Sequence, residues 1–148
     1  MKKRILIAED DEPVRKMLGR VLESSDYSVL TASTGPEAVA GYSAARPDLV
    51  LLDLGAPDQA GWETLLQIRE IEPLVPVVAI TAWPEQYEQA VQRGIDALME
   101  KPLDLPLLMD TIRGLLERHR RRSHPPSLER ESPCAQAARD GRSSDPGR

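Results

Sequence analysis

The 148-residue sequence has no phenylalanine, and aromatic residues of all kinds make up only 3% of it. Hydrophobic residues nevertheless account for 41%, so any core must consist mainly of Leu, Val, Ile and Ala. There is one cysteine, Cys134, which excludes an internal disulfide and a zinc site built from cysteines. The two histidines, His119 and His124, both lie late in the chain.

Long hydrophobic runs are also missing. No stretch approaches the roughly 18 consecutive apolar residues of a membrane-spanning helix. The basic residues 2–4 are followed by the apolar run Ile5–Ala8 and then by four acidic residues, and this run is too short for a signal peptide. A length of 148 residues is enough for one domain with a hydrophobic core. We therefore expect a soluble cytoplasmic protein that does not contact membranes.

The formal net charge of −5 conceals two parts of opposite sign. Residues 1–117 contain 11 Lys or Arg and 20 Asp or Glu, whereas residues 118–148 contain 8 and 4. Because proteins that bind nucleic acids usually present a basic surface, the acidic part is not expected to bind DNA directly.

The composition changes at about Arg120. Residues 120–148 are rich in Arg, Ser, Pro and Gly, and we predict that they form a disordered tail after a domain that covers residues 1–119. The run Arg120–Arg122 has two interpretations, a solubilising helix end or an electrostatic contact with an acidic partner or nucleic acid. We favour the first, because the net charge of the tail is small and no aromatic residue is present to stack on bases.

Five short apolar runs alternate with segments of helical periodicity. Leu49–Leu52 is wholly apolar, which is typical of a strand that is buried on both faces of a parallel sheet. The other predicted strands are Arg4–Ala8, Ser28–Ala32, Val77–Thr81 and Ala97–Met99. Helices are predicted from Pro13 to about Ser25, from about Ser33 to Pro47, from Gly61, from Pro84 to Arg93 and from about Leu105 to Arg118. This alternation predicts an α/β fold with a doubly wound parallel sheet.

Polar side chains follow four of the predicted strands. They are Glu9 and Asp10 after the first, Asp53 after the third, Thr81 at the end of the fourth and Lys101 after the fifth. Because parallel strands end at the same edge of a sheet, these side chains should converge. Asp53 taken alone has a simpler interpretation, the capping of a turn before the next helix.

A converging group of this composition indicates phosphoryl chemistry. Two carboxylates about 5 Å apart repel each other by roughly 3 kcal/mol at an effective dielectric constant near 20. A divalent cation would relieve this repulsion, and an all-oxygen site suits Mg²⁺. A carboxylate beside Mg²⁺ can attack phosphorus and form an acyl phosphate. Lys101 would then offset the new negative charge, and the Thr81 hydroxyl would hydrogen-bond the phosphoryl group.

The sequence resembles the receiver domain of two-component response regulators over about residues 3–118. The matching segments are Ile7–Asp11, Leu52–Pro57 with Gly61, Thr81–Ala82 and Lys101–Pro102. The resemblance implies a flavodoxin-like fold of five βα units with the strand order 2-1-3-4-5. It also implies an Mg²⁺-dependent aspartyl phosphorylation.

The resemblance assigns roles to the polar residues. Asp53 is implied to be the phosphoacceptor and Asp10 a direct ligand of Mg²⁺. Glu9 is implied to lie farther from the metal, next to its direct ligands. The main-chain carbonyl of Gly55 is implied to be a further ligand. Asp11 is expected to be a solvated neighbour of this group.

Other implied roles concern the phosphoryl group and its surroundings. Thr81 and Lys101 are implied to bind the phosphoryl group, and the Lys101–Pro102 peptide is implied to be cis. Trp83 is implied to lie at the rim of the phosphoryl pocket, opposite Gly55. The alternative is that Trp83 simply packs on the surface of the fourth helix.

The sequence departs from the family pattern in three places. The family usually has Tyr or Phe as a rotating switch side chain three residues before the lysine, and this position is Leu98. Ala56 and Ala60 replace a Met and an Asp in the loop after the phosphoacceptor. In addition, no output domain is recognised after the receiver segment.

We therefore predict a stand-alone receiver that accepts a phosphoryl group from a histidine kinase or a histidine phosphotransfer protein. It would signal to a downstream protein through the surface around the fourth helix and fifth strand, and it is not expected to be a metabolic enzyme. The alternative is a constitutive docking module that binds its partner irrespective of phosphorylation, which Leu98 favours. A phosphohydrolase is disfavoured because no second carboxylate is evident to serve as an acid.

Overall fold

The computed structural model describes residues 2–55, 60–83, 85 and 87–123. Strands and helices alternate along these residues, which confirms the predicted order. The elements are β1 (Arg4–Ala8), α1 (Glu12–Ser24), β2 (Ser28–Ala32), α2 (Gly35–Ala45), β3 (Leu49–Asp53), α3 (Ala60–Ile71), β4 (Val77–Thr81), α4 (Tyr87–Gln92), β5 (Ala97–Glu100) and α5 (Leu105–Ser123).

The five strands form one parallel sheet in the order β2-β1-β3-β4-β5, so the predicted flavodoxin-like topology is confirmed. The chain moves outward from β1 to β2 and then returns to β3 on the other side of β1. Ligands of such sheets bind outside the carboxyl ends of the strands at this switch point. Ala8 pairs with Leu52, so the residues that follow them lie side by side at that edge.

The sheet is covered by helices on both faces because its strand residues alternate between two apolar layers. Helices α2, α3 and α4 cover one face, with buried side chains that include Ala38, Tyr42, Trp62, Leu65, Ile68 and Ala90. Helices α1 and α5 cover the other face, with Leu18, Leu22, Leu108, Ile112, Leu115 and Leu116. Trp62 is 1% exposed and is one of the largest buried side chains, in a core without phenylalanine.

Local sequence explains where α1 and α2 begin. Asp11 precedes α1, and its carboxylate accepts the N–H of Val14 at 3.4 Å. Thr34 precedes α2, and its hydroxyl oxygen accepts the N–H of Glu37 at 3.2 Å. Both are preferred residues for the first position of a helix, because their side chains satisfy N–H groups that have no partner within the helix.

The described helix ends lie within two residues of the predicted ones, except for the start of α4 and the carboxyl end of α5. Helix α4 is described from Tyr87, and its predicted start at Pro84 lies outside the described residues. The helix stops before Gly94, as predicted, and Gly94 has φ of 77°, which is typical of a residue that follows a helix. Helix α5 extends to Ser123, past the end predicted at about Arg118. The added residues are mostly arginines, which are good helix formers and carry a charge that is favourable at the carboxyl end of a helix.

The residues up to Leu116 form one compact unit, and those from Glu117 belong to a second unit, of which the structure describes the end of α5. The predicted domain boundary at residue 119 and the predicted disorder beyond residue 123 stay predictions. Within the described ranges, no helix combines the length and the apolar character that crossing a membrane requires.

Arg69 of α3 joins two loops at the amino edge of the sheet. Its Nη1 donates to the carbonyl oxygens of Pro73 and Val75, at 2.7 Å in each case. Its Nη2 donates to the carbonyl oxygen of Gly94 at 2.9 Å and lies 3.3 Å from Oδ2 of Asp96. We call these four contacts the Arg69 clamp. They hold the loop before β4 against the loop before β5.

Candidate functional site

Three carboxylates meet where β1 and β3 end. Glu9 and Asp10 directly follow β1, and Asp53 is the last residue of the neighbouring strand β3. One oxygen from each carboxylate lies within 4.8 Å of the other two. The structure thus brings together three residues that the sequence predicted to converge, and we call them the acidic group.

Lys101 supplies positive charge to the acidic group. Its Nζ donates a hydrogen bond to Oδ2 of Asp53 at 3.4 Å and lies 3.4 Å from Oε1 of Glu9. Burial by itself lowers the pKa of Lys101, but the carboxylates of Asp53 and Glu9 raise the pKa above its ordinary value. The side chain is therefore a charged ammonium at neutral pH.

Glu9 is the buried member of the group, with 3% of its surface exposed. Its Oε2 accepts the main-chain N–H of Asp11 at 3.1 Å. Its Oε1 is buried without a hydrogen-bond partner among the described residues and makes a 3.4 Å ion pair with Nζ of Lys101. Burial raises the pKa of Glu9 to about 8, and the neighbouring carboxyl of Asp53 acts in the same direction.

This donor set fits a hard divalent cation. The candidate ligands are carboxylate oxygens, and the group includes no histidine or cysteine. Buried polar atoms are normally hydrogen-bonded, whereas the buried Oε1 of Glu9 has only its ion-pair contact with Lys101, so this oxygen can accept a further partner. A cation would supply that partner and reduce the repulsion between the carboxylates.

Asp53 is held by contacts to both carboxylate oxygens. Its Oδ1 accepts the N–H of Gly55 at 3.0 Å, while Oδ2 faces Lys101. Gly55 has φ of 70°, in the left-handed region that glycine adopts without strain, and this turn takes the chain away from β3. Residues 56–59 of the loop, among them Ala56 and Pro57, lie outside the described residues.

Thr81 lies on the same edge of the sheet. It ends β4 and is fully buried. The preceding residue, Ile80, pairs with Asp53 of β3. Its Oγ1 accepts the N–H of Trp83 at 2.9 Å, and its carbonyl oxygen accepts the N–H of Lys101 at 2.9 Å. Thr81 therefore connects β4 to the segments that carry Trp83 and Lys101.

Helix α1 holds the acidic loop, which we define as residues 9–11. The carboxylate of Asp11, expected to be merely solvated, is exposed but also caps α1 through Val14. Nη1 of Arg15 donates to the carbonyl oxygen of Glu9 at 2.9 Å. Sequence analysis missed Arg15, although its place in the first turn of the helix after an acidic loop is where a long basic side chain can reach back to that loop.

A cleft of about 530 Å³ opens beside the acidic group. It extends from Glu9, Asp10 and Asp53 toward the turn before α2 and the first turns of α3, where Thr34, Pro36, Glu63, Thr64 and Gln67 line it. Trp83 is not among the residues that line this cleft. It lies beyond β4, with 41% of its surface exposed and its main chain bonded to Thr81.

The remaining predicted residues occupy β5 and the turn after it. Leu98 is half-buried and packs against the apolar layer beneath α2, α3 and α4. The peptide bond between Lys101 and Pro102 is cis, as predicted. Leu98, Lys101 and Pro102 thus lie on one short segment next to β4.

Curated relatives match most of the chain. The alkaline phosphatase synthesis transcriptional regulatory protein PhoP of Bacillus subtilis is 32% identical over 120 residues, which cover 80% of this chain and 50% of that protein. The polar-differentiation response regulator DivK of Brucella anthropi is also 32% identical over 120 residues, which cover 78% of this chain and 98% of DivK. The chain thus spans half the length of the first relative and nearly all of the second.

Solved structures agree with the observed fold. A CheY-like response regulator receiver domain protein from Methanospirillum hungatei superposes with a TM-score of 0.76 and 27% identity, covering 82% of this chain and 99% of that one. The response regulator TrrA of Thermotoga maritima, solved in complex with Mg²⁺ and BeF, has a TM-score of 0.70 and 26% identity. That match covers 76% of this chain and 98% of TrrA.

The sequence pattern of the response regulator receiver domain matches residues 5–113. This range contains strands β2 to β5, all of β1 except Arg4, and the acidic group with Thr81 and Lys101. The chain therefore belongs to the response regulator receiver domain family, the signalling modules of two-component systems.

Proposed function

We propose that the chain is an Mg²⁺-dependent phosphoacceptor that takes a phosphoryl group onto Asp53. The observation that supports this most directly is the acidic group itself, three carboxylates within 4.8 Å of one another with the Lys101 ammonium 3.4 Å from Asp53. Carboxylates that repel one another require positive charge nearby. Lys101 and a bound Mg²⁺ would supply that charge, and both would also stabilise the negative charge of an added phosphoryl group.

The proposed donor is a phosphohistidine of a sensor histidine kinase or a histidine phosphotransfer protein. A carboxylate oxygen of Asp53 forms a bond to phosphorus while the phosphorus–nitrogen bond of the donor breaks, and its electron pair remains on the imidazole. The product is an acyl phosphate on the chain itself. The reaction therefore changes the state of a signalling module rather than converting a metabolite.

Each residue of the site has a role in this proposal. Asp10 and Asp53 would hold Mg²⁺, with Glu9 behind them and the carbonyl of Gly55 as a further ligand. When bound, Mg²⁺ supplies positive charge that offsets the charge of the phosphoryl group. TrrA, one of the structural relatives, was solved with Mg²⁺ and BeF, which supports the choice of metal.

Lys101 and Thr81 would bind the phosphoryl oxygens. The Lys101 ammonium already lies 3.4 Å from Asp53 and would form an ion pair with the new group. The Thr81 hydroxyl accepts the N–H of Trp83 in the present structure. A change in that hydrogen bond on phosphorylation would reach the segment before α4, which supports an output surface around α4 and β5.

The test is the intact mass of the full chain after incubation with phosphoramidate and Mg²⁺. Phosphoramidate contains the same type of phosphorus–nitrogen bond as phosphohistidine, so we expect the wild-type mass to increase by one phosphoryl group. Asp53→Asn should abolish the increase. Asp48→Asn is the matched control, because Asp48 lies directly before the opposite end of β3, where its Oδ2 accepts the N–H of Arg4 at 2.8 Å. Equal labelling of Asp53→Asn and wild type would refute the proposal.

A second candidate function is a docking module that does not respond to phosphorylation. It is favoured by Leu98, a half-buried aliphatic side chain at the position where the family usually has an aromatic switch residue. The two functions differ in the effect of beryllofluoride with Mg²⁺ on amide NMR spectra. A switch predicts changes in α4 and β5, whereas a constitutive docking module predicts changes confined to the acidic group.

A further inference from the structure

Arg15 contacts the main chain of the acidic loop. It lies in the first turn of α1, where its side chain is half-buried, and its Nη1 donates to the carbonyl oxygen of Glu9 at 2.9 Å. On the other side of the same residue, the N–H of Glu9 donates to the carbonyl oxygen of Ala32 at 3.0 Å. The main chain of Glu9 is thus fixed between β2 and α1.

Asp10 has no comparable anchor of its own. Its side chain is exposed, and no hydrogen bond to its carboxylate is found in the part of the chain that the structure describes. Nevertheless, one of its oxygens lies within 4.8 Å of oxygens of Glu9 and Asp53. The position of this carboxylate therefore depends on the main chain at either side of it.

Helix α1 holds both neighbours of Asp10. Asp11 is fixed by its cap contact with Val14, at 3.4 Å, and by its carbonyl oxygen, which accepts the N–H of Arg15 at 2.9 Å. Glu9 is fixed by the guanidinium of Arg15. Arg15 thus contacts the loop on both sides of Asp10, once through its main chain and once through its side chain.

We propose that Arg15 is a positioning residue for the divalent-cation site, because it fixes the main chain from which Asp10 projects. This inference rests on the proposed Mg²⁺-dependent function and adds to it a residue that does not touch the metal. Residues that orient the ligands of a metal commonly contribute about 10-fold or more to its affinity. A planar guanidinium with several fixed donors suits this task better than a flexible ammonium.

The positive charge of Arg15 should change the affinity for Mg²⁺ in the direction opposite to its positioning effect. A cationic side chain near the site repels Mg²⁺, so loss of the charge alone would tighten Mg²⁺ binding. Loss of positioning would weaken it. The sign of the change in affinity therefore distinguishes the two effects.

The experiment is an isothermal titration of the full chain with MgCl₂. We expect Arg15→Gln to raise the Kd for Mg²⁺ about 10-fold. Arg15→Lys, which retains the charge and one donor, should raise it by a smaller factor. Arg20→Gln is the control, because Arg20 is exposed on the same helix and its replacement removes the same charge without changing a contact to the loop.

Circular dichroism without metal shows whether each variant remains folded, and if Arg15→Gln does not fold, Arg15→Lys decides the result. An unchanged or lower Kd in the folded variant would overturn the role of Arg15 and leave the proposed function intact. An increase of the same size in Arg20→Gln would also overturn it. If the wild-type chain binds no Mg²⁺, the proposed function fails and this inference fails with it.

Discussion

Asp10 and Asp11 are adjacent carboxylates with different surroundings. Asp10 projects toward Glu9 and Asp53, whereas Asp11 accepts the N–H of Val14 at the start of α1. The two adjacent aspartates thus have different local roles: Asp10 is part of the acidic group, and Asp11 caps helix α1. This difference can be measured, because cation binding and helix stability respond to different substitutions.

We predict that Asp10→Asn weakens Mg²⁺ binding at least about 10-fold, since it removes a charged ligand. Asp11→Asn should leave the Kd nearly unchanged, because asparagine also caps helices well. Asp11→Ala should lower the free energy of unfolding by about 1 kcal/mol through loss of the cap. Calorimetric titration and urea unfolding measure the two effects. A larger loss of Mg²⁺ affinity in Asp11→Asn than in Asp10→Asn would show that the ligand is Asp11.

Trp83 is predicted to slow the hydrolysis of the proposed acyl phosphate. Its indole is bulky and its N–H can only donate, so it cannot accept a proton from an attacking water. Trp83→Ala should therefore shorten the lifetime of the phosphorylated form, and Trp83→Glu should shorten it at least as much. The measurement is the loss of phosphoryl mass after removal of the donor.

Leu107→Ala is a suitable control for that measurement, because Leu107 is another exposed large apolar residue, located on α5. Its replacement should leave the lifetime unchanged. A lifetime of Trp83→Ala equal to or longer than that of the wild type would instead indicate that the indole packs on the surface without protecting the site.

At the scale of the elements, helix α3 lies very close to the end of β3. A Cβ atom on Gly61 would lie 2.6 Å from both the Cα and the carbonyl oxygen of Leu54. Leu54 is 1% exposed and its N–H donates to Ile80 at 2.9 Å, so it cannot easily move away. The absence of a side chain at Gly61 therefore determines how closely α3 approaches the strand that carries Asp53.

We predict that Gly61→Ala lowers the free energy of unfolding by about 2 kcal/mol or more, as expected when a clash displaces packed backbone. Gly19→Ala is the matched control, because a Cβ there would meet only Cγ1 of Val29, at 4.0 Å. Since Gly19 lies inside α1, alanine should be neutral or stabilise by up to about 1 kcal/mol. Urea unfolding of both variants measures the difference. Similar stabilities for the two variants would contradict the proposed packing restriction.

At the scale of the whole molecule, the strand pattern was predictable because each strand is a short apolar run in strict alternation with helical periodicity. The convergence of Glu9, Asp10 and Asp53 followed from parallel strands alone. The strand order and the cis peptide before Pro102 came from the resemblance to receiver domains, because neither leaves a signal in hydrophobic periodicity.

Other features could not be predicted from local pattern. The contacts of Arg69 join a helix to the carbonyls of two loops, and any other arginine on a helix would look the same in the sequence. The end of α5 at Ser123 is not apparent from the sequence, because the change in composition at Arg120 indicates the end of ordered structure, although arginine favours helices.

We predict that a chain ending at Ser123 retains the melting temperature and the phosphorylation rate of the full chain. The residues beyond it are rich in Arg, Ser and Pro and offer little apolar surface to bury. Differential scanning calorimetry and the intact-mass assay test both properties. A loss of several degrees on truncation would mean that residues 124–148 contribute to the stability of the fold.

The Arg69 clamp and the acidic group lie at opposite edges of the same sheet. Next to the clamp, the N–H of Val77 donates to Asp96 at 2.8 Å, and this amide proton should exchange with solvent only when the whole domain unfolds. At the acidic edge, where carboxylates repel, the N–H of Gly55 should exchange through local opening, and a bound cation should slow that exchange alone. The molecule would then be rigid at one edge and adjustable at the other, and the proposed phosphorylation acts on the adjustable edge.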